Sequence, residues 1–169
     1  MNLDITDRPV GTTDWAVVPV NLVRDGTGAA VMGKGLARWF ALAYPELPMM
    51  FGSHLYHAGI TEKMSIGGIS DAYNKGPRDM PPPIPFCVAK YRVILLPTKH
   101  DWRNDASLDL ISAQLYGLQA MGIALQKTQP GRILIPRLGC GLGGLSWETV
   151  KARCVLAGLD REPFVLCEP

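Results

Sequence analysis

Two glycine-rich stretches in this chain have the composition of loops that bind phosphate groups. The second stretch, residues 139–144, follows an apolar run and precedes Ser146, whose residue type often caps a helix. A loop between a strand and a helix brings free backbone N–H groups together, and the positive end of the helix dipole adds to their attraction for an anion. The spacing therefore predicts a binding site for a phosphate-bearing ligand at residues 139–144. The alternative is a tight strand-to-helix crossover in which the glycines only permit close packing.

The first glycine stretch matches a nucleotide-binding P-loop up to its last position. Gly28, Gly33 and Lys34 have the P-loop spacing, but Gly35 stands where Ser or Thr would ligate magnesium, which disfavours a nucleoside triphosphatase. A phosphate cradle made of backbone N–H groups needs no metal, so this stretch still predicts phosphate binding. Lys34 either neutralises a phosphate or is solvated. A dinucleotide-dependent enzyme is another alternative, because residues 139–144 also satisfy the GxGxxG spacing.

A polar cluster, residues 98–103, follows an apolar run at residues 91–97. Open α/β sheets place their ligands at the carboxyl ends of strands, which is where this cluster would lie. We therefore expect Thr98 and Lys99, at the start of the cluster, to face the two glycine loops.

The pattern of apolar residues predicts the elements that position these groups. Strands are predicted at residues 15–20, 91–97, 132–138 and 164–167, with weaker ones at 3–6 and 49–56. Helices are predicted at residues 34–44, 105–126 and 146–158, and a stiff polyproline segment at residues 80–85. This alternation predicts a single domain over residues 1–169, with a three-layer α/β/α fold and a mixed, mostly parallel central sheet.

Composition and charge exclude several classes of protein. The formal net charge of the 169 residues is only +2, which does not indicate a protein that coats a polyanion. The acidic N-terminal stretch is unlike a signal peptide, and no run of about 18 apolar residues predicts a membrane span, so we expect a cytoplasmic protein. The four cysteines are scattered, and neither a metal site nor a cofactor is predicted. Cys140 is either a reactive thiol or a small residue that fills tight space, and His54 and His57 lack an evident third ligand.

Three segments of the chain together resemble the macrodomain family, which binds ADP-ribose. They are residues 20–40, 95–111 and 133–150. The motifs that carry the resemblance are Val20-Asn21 with residues 32–35, residues 97–99 with Trp102-Arg103, and residues 139–145 with Trp147. The chain is similar in particular to the branch that contains the DarG-type antitoxin macrodomains, which remove ADP-ribose from DNA, and the human terminal ADP-ribose glycohydrolase.

The resemblance implies a hydrolase that removes ADP-ribose from modified DNA or protein. Asn21 would hydrogen-bond the distal ribose. Lys99 would take part in the cleavage, either by forming a Schiff base at ribose C1″ or by stabilising a developing oxyanion, unless it only neutralises phosphate. The other implied ligand contacts are Gly33, Lys34, Gly35, Thr98, Gly139, Cys140, Gly141, Leu142, Gly143, Gly144 and Trp147. Two alternatives use the same cavity: a phosphatase of ADP-ribose-1″-phosphate, and a reader that binds ADP-ribose without turnover.

The chain departs from the family pattern at two positions. Gly143 stands where the human enzyme has an aspartate that works with the lysine, so an assisting carboxylate would come from Asp25 or Asp101. The usual Gly-Asp-Ile/Leu turn, whose aspartate reads adenine, is absent, and Asp7 is the candidate that replaces it.

Contact with nucleic acid is a further expectation that depends on a few basic residues. Arg103, Lys127 and Arg132 either form a basic rim that faces DNA or belong to a solvated surface.

Overall fold

A mixed sheet of five strands forms the centre of the structure, a computed structural model that describes residues 13–60 and 85–168. In chain order the strands are β1 (Trp15–Asn21), β2 (Phe86–Val88), β3 (Val93–Lys99), β4 (Ile133–Ile135) and β5 (Phe164–Leu166). Their order across the sheet is β2-β3-β1-β4-β5. Strands β3, β1, β4 and β5 run parallel, whereas β2 pairs antiparallel with β3 at one edge.

Helices cover both faces of this sheet. They are α1 (Gly35–Ala43), α2 (Leu47–His57), α3 (Leu108–Thr128) and α4 (Trp147–Leu156). Successive side chains of a strand point to opposite faces, so Val18 packs in an apolar cluster with Phe51 of α2, while Val17 packs in a second cluster with Leu115 of α3. The predicted three-layer α/β/α fold with a mixed, mostly parallel sheet is therefore confirmed.

One predicted strand, residues 49–56, is wrong because this segment belongs to α2. Phe51 and Leu55 lie about one helical turn apart, and both are fully buried in the cluster under α1 and α2. Pro48 lies in the first turn of the helix, where the N–H that proline lacks has no intrahelical acceptor in any case. Leu47, Phe51 and Leu55, spaced four residues apart, lie on one face of this helix and are buried together.

The limits of two strands differ from the predicted ones by two residues or more. Strand β3 begins at Val93 rather than at residue 91, because a 3₁₀ turn at Ala89–Tyr91 precedes it and Arg92 takes a left-handed conformation with φ of 52°. Strand β4 ends at Ile135, three residues before the predicted limit. Residues 136–138 therefore belong to the loop that leads into the second glycine stretch.

The remaining expectations about single elements divide into two groups. The predicted helices at residues 34–44, 105–126 and 146–158 are confirmed as α1, α3 and α4, with ends that differ by at most three residues. The strand at residues 3–6, the candidate Asp7 and residues 80–84 of the polyproline segment lie outside the described residues.

Within the described ranges, only α3 has the length and mean hydropathy, 1.2, that would allow a helix to cross a membrane. Length and composition are weak grounds, because a core helix satisfies the same criteria. Ile111, Leu115 and Leu118 of α3 are buried in the cluster that also contains residues of the sheet and of α4. The apolar stripe of α3 is accounted for by this packing.

Candidate functional site

The carboxyl ends of strands β1 and β3 bring Asn21 and Lys99 together. The register of the two parallel strands pairs Asn21 with Lys99, after a shift between Val20 and Asn21. A cavity of about 510 Å³ opens at this edge of the sheet, and its size is that of a typical small-ligand site. Ten of the predicted site residues line it: Asn21, Gly33, Lys34, Gly35, Thr98, Lys99, Gly139, Gly141, Leu142 and Gly143.

The ammonium group of Lys99 joins two loops at the cavity wall. Its Nζ donates to the backbone carbonyl oxygens of Asn104 and Leu142, each at 2.7 Å. The same two loops are joined by a backbone hydrogen bond from Ala106 to Gly143 at 2.9 Å. Lys99 is thus held in a fixed position between the loop at residues 100–106 and the second glycine loop.

The side chain of Asn21 holds the loop that carries the first glycine stretch. Its Nδ2 donates to the carbonyl oxygen of Val31 at 2.8 Å, and its Oδ1 accepts from the backbone N–H of Val23 at 2.9 Å. An amide of this kind has one further N–H and one further lone pair. Asn21 therefore both shapes the cavity wall and retains hydrogen-bonding capacity towards a ligand.

The N-terminus of α1 opens into the cavity without a side-chain cap. Lys34 occupies the N-cap position and makes no capping hydrogen bond, whereas Ser107 and Ser146 cap α3 and α4 through their hydroxyl groups. The N–H groups of a helix's first turn have no intrahelical acceptor. Because Gly35 and Leu36 line the cavity, the positive end of the α1 dipole lies at its wall.

The second glycine loop lines the cavity and has backbone N–H groups without an acceptor among the described residues. Within the described part of the chain, the N–H groups of Gly141, Leu142 and Gly143 donate to no acceptor. The carbonyl oxygens of the same three residues, in contrast, accept from Gly144, Lys99 and Ala106 respectively. An anion binds where backbone N–H groups are free and the neighbouring carbonyl oxygens are already hydrogen-bonded within the protein. This loop meets both conditions.

The glycines of the site serve two different purposes. A Cβ on Gly139 would lie 2.7 Å from Cβ of Ala106, and a Cβ on Gly143 would lie 2.3 Å from the carbonyl oxygen of Gly139. A Cβ on Gly33 or Gly141 would meet nothing within 4 Å. Close packing therefore requires the first pair, while the second pair borders open space in the cavity.

Three predicted ligand contacts do not line the cavity. Cys140 donates from Sγ to the carbonyl oxygen of Leu138 at 3.3 Å and packs against the apolar cluster under α3 and α4. Burial raises the pKa of the Cys140 thiol, which opposes a role as a nucleophile and fits the space-filling alternative. Trp147 packs against the same cluster, and Gly144 forms a turn with φ of 73°.

The charged side chains that line the cavity are all basic. They are Lys34, Lys99 and Arg137, and no carboxylate from the described residues joins them. Arg137 is a site residue that the sequence pattern did not predict. Its side chain is exposed, and the guanidinium forms no hydrogen bond or ion pair with any residue that the structure describes. The electrostatics of the cavity thus favour an anion.

The two carboxylates considered as partners of Lys99 are engaged elsewhere. Asp25 Oδ1 accepts from the hydroxyl and backbone N–H of Thr27 and from the N–H of Ala29, and these bonds, the hydroxyl first, lower the pKa of Asp25. Asp101, only 5% exposed, forms a two-pronged ion pair with Arg103, which lowers the pKa of Asp101. Neither lines the cavity.

The three residues of the expected basic rim do not form one surface. Arg103 follows the carboxyl end of β3, whereas Lys127 and Arg132 lie near the opposite edge, at the end of α3 and before β4. Arg132 is also paired with Asp14, at 2.6 Å between Nη2 and Oδ2. Of the three residues, only Arg103 therefore lies at the end of the sheet where the cavity opens.

The Asp101–Arg103 pair predicts a pH-dependent loss of stability. Because the folded pKa of Asp101 is depressed, its contribution is present above the unfolded carboxyl pKa of about 3.9 and is lost as pH falls through the folded value. We expect Asp101→Asn to lower the melting temperature by about 2–4 °C at pH 7 and by less below pH 4. Thermal unfolding at both pH values measures this. Asp160→Asn, which removes an exposed pair at 3.7 Å, is the control, and a pH-independent deficit in Asp101→Asn would contradict the assignment.

A mixed, mostly parallel sheet between two helical layers is the architecture of a macrodomain. Two solved structures share it: the macrodomain of Mycobacterium tuberculosis DarG has a TM-score of 0.64 and 27% identity, covering 96% of this chain and 90% of that one. The macrodomain of Thermus aquaticus DarG has a TM-score of 0.62 and 26% identity, covering 99% and 95%. The chain belongs to the macrodomain family.

Within that family, the chain is similar to DarG proteins from bacteria. It is 30% identical over 132 residues to a DNA ADP-ribosyl glycohydrolase of Thermus aquaticus, and 30% identical over 137 residues to one of Mycobacterium tuberculosis. These alignments cover 78% and 80% of this chain but 32% and 34% of the relatives, so the chain spans about a third of their length. A structure of Thermosipho africanus DarTG in complex with ADP-ribose shares the fold, with 24% identity, a TM-score of 0.57 and coverage of 91% and 37%. No protein-family model matches the chain.

Proposed function

We propose that this chain is a hydrolase that removes ADP-ribose from ADP-ribosylated DNA by cleaving the bond at ribose C1″. One observation carries the proposal: Lys99 Nζ lies at the wall of a cavity that also exposes spare N–H groups and an uncapped helix N-terminus. The names of the relatives, DNA ADP-ribosyl glycohydrolase, and the ADP-ribose bound in the Thermosipho structure support the choice of ligand and reaction.

The diphosphate of ADP-ribose suits the basic side of the cavity. Its negative charges would meet the positive end of α1 and the N–H groups of Gly141, Leu142 and Gly143, with Lys34 and Arg137 as further cations. The second N–H and lone pair of the Asn21 amide would then bind hydroxyl groups of the distal ribose. In this arrangement C1″ would lie on the side of Lys99.

The geometry of Lys99 favours a role as a hydrogen-bond donor over a role as a nucleophile. When the bond at C1″ breaks, the leaving group takes the electron pair and needs a proton, while water supplies the hydroxyl that replaces it. Two N–H groups of Lys99 are held by carbonyl oxygens at 2.7 Å, and the third is left for the leaving group. Attack as an amine would require Lys99 to lose the third proton, and a Schiff base would keep only one N–H for the two carbonyl oxygens. Among the described residues, no carboxylate lines the cavity to activate water. The step that the cavity residues accelerate is therefore departure of the leaving group.

A panel of three substrates tests the proposed function. An ADP-ribosylated single-stranded oligonucleotide, an ADP-ribosylated protein and ADP-ribose-1″-phosphate are each incubated with the wild-type chain, and the products are identified by mass spectrometry. We expect free ADP-ribose and unmodified oligonucleotide. Phosphate release from the third substrate alone would instead identify a phosphatase. Tight binding of all three without turnover would identify a reader. Release of ADP-ribose from the modified protein alone would show that the substrate is protein and not DNA.

We also propose that residues 1–169 form one macrodomain that works in the bacterial cytosol. Strands β1 and β5, from opposite ends of the described chain, lie in the same sheet, which supports a single folding unit. DNA as substrate and bacterial relatives support the cytosol.

A further inference from the structure

We propose that Trp102 and Arg103 form a subsite that stacks the nucleobase to which ADP-ribose is attached. The inference rests on the proposed function, because it concerns the group that leaves when the bond at C1″ is cleaved. It gives a role to Trp102, which has none in the binding of phosphate by the glycine loops or in the action of Lys99. Trp102 lines the cavity and keeps 38% of its surface exposed.

Arg103 and Asp101 hold the indole ring of Trp102 in place. The guanidinium of Arg103 lies over the ring, with Cζ 5.3 Å from the centroid. Asp101 fixes that guanidinium, since Oδ1 accepts from Nε and Oδ2 accepts from Nη2, both at 3.0 Å. Oδ1 also accepts from the backbone N–H of Arg103 at 2.8 Å. One face of the ring is thus covered by a cation, and the exposed part borders the cavity, so a stacking partner would meet a preorganised surface.

Trp102 lies on the side of the cavity where the leaving group would be. The loop that carries it folds back onto Lys99, because the carbonyl oxygen of Asn104 accepts from Lys99 Nζ at 2.7 Å. If Lys99 donates to the leaving group, that group lies next to Lys99. It then also lies near the loop that carries Trp102. The ADP-ribose moiety would lie on the other side of C1″, against the glycine loop and α1.

The chemistry of this surface fits a nucleobase better than an amino-acid side chain. Every base has a flat π face, and an aromatic ring beside an arginine is the combination with which proteins bind single-stranded nucleic acid. A modified carboxylate side chain offers no such face. The contribution of stacking on one aromatic residue corresponds to about 10- to 100-fold in affinity.

Binding measurements on a slowly hydrolysing background test the subsite. In Lys99→Ala, the dissociation constants of free ADP-ribose and of a base-modified single-stranded oligonucleotide are compared, alone and combined with Trp102→Ala or Trp102→Phe. Trp39→Ala is the matched control, since Trp39 is also 38% exposed but lies on α1 outside the cavity lining. Wild type is used in place of Lys99→Ala if it shows no turnover.

We expect Trp102→Ala to weaken binding of the modified oligonucleotide by about 10- to 100-fold, with ADP-ribose affinity unchanged. Trp102→Phe should restore most of the loss, and Trp39→Ala should have no effect. Equal binding of the oligonucleotide by Trp102→Ala and its parent would overturn the subsite. A parallel loss for ADP-ribose would also overturn it, because Trp102 would then contact ADP-ribose itself. Absence of turnover in wild type would contradict the proposed function alone, since the binding difference is measured independently of cleavage.

Discussion

Lys99→Ala should release ADP-ribose from modified DNA about 10²–10³-fold more slowly than wild type, a loss typical of removing one preorganised donor. Lys99 Nζ is fixed by the carbonyl oxygens of Asn104 and Leu142, so its third N–H is aimed without further reorganisation. The spare N–H groups that suit the diphosphate belong to other residues, and ADP-ribose should therefore still bind. Single-turnover kinetics measure the rate, and calorimetry measures the affinity.

Three controls separate chemistry from architecture in this experiment. Lys127→Ala removes an exposed lysine at the opposite edge of the sheet and should leave the rate unchanged. Lys99→Arg keeps a cationic donor and should recover part of the rate. Borohydride added during turnover would trap a covalent adduct on Lys99 if the amine formed a Schiff base, and no adduct is expected. Wild-type turnover by Lys99→Ala would remove Lys99 from the mechanism.

Gly33→Val should abolish ADP-ribose binding, an affinity loss of more than about 100-fold, while the protein melts at the wild-type temperature. A Cβ at residue 33 meets nothing within 4 Å in the folded chain, and the backbone there is not left-handed, so we expect folding to tolerate the substitution. The added methyl groups would occupy cavity space beside the N-terminus of α1, where the diphosphate would approach. Calorimetric titration and thermal unfolding on the same sample measure both quantities.

Gly26→Val is the matched control for this substitution. Gly26 also has open space around an added Cβ and no left-handed φ, but it does not line the cavity. The Gly26→Val variant should therefore bind ADP-ribose like wild type. Unchanged binding by Gly33→Val would place the ligand elsewhere, and a large fall in its melting temperature would show that residue 33 has a packing role instead.

The sheet was predictable where strands are long or wholly apolar. Residues 15–20 and 91–97 read as strands because both faces of β1 and β3 are buried, which leaves a continuous apolar run. Strand β2 has only three residues, and it is a strand because it pairs with β3. Such pairing with a distant segment leaves no local pattern in the sequence. Residues 49–56 are apolar without clear alternation, and their helix is fixed by tertiary burial of Phe51 and Leu55.

The glycine loops and Lys99 were predictable because their chemistry is local: backbone donors between a strand and a helix, and an amine at a strand end. Arg137 was missed because residues 132–138 read as one strand, although β4 ends at Ile135 and leaves Arg137 in the loop. The distinction between Gly143, which packing requires, and Gly141, which borders open space, depends on Ala106 and on the loop itself. Such contacts between distant segments are visible only in the folded chain.

Calorimetric titration of the wild-type chain with ADP-ribose, beside ATP and NAD, addresses the cavity itself. We expect a dissociation constant for ADP-ribose in the micromolar range, about −8 kcal/mol, and weaker binding of ATP and NAD. Binding of this kind, together with its loss in Gly33→Val, would locate the ligand in this cavity beside the uncapped α1 terminus. No heat with ADP-ribose, or tighter binding of ATP or NAD, would contradict an ADP-ribose cavity and with it the proposed hydrolase.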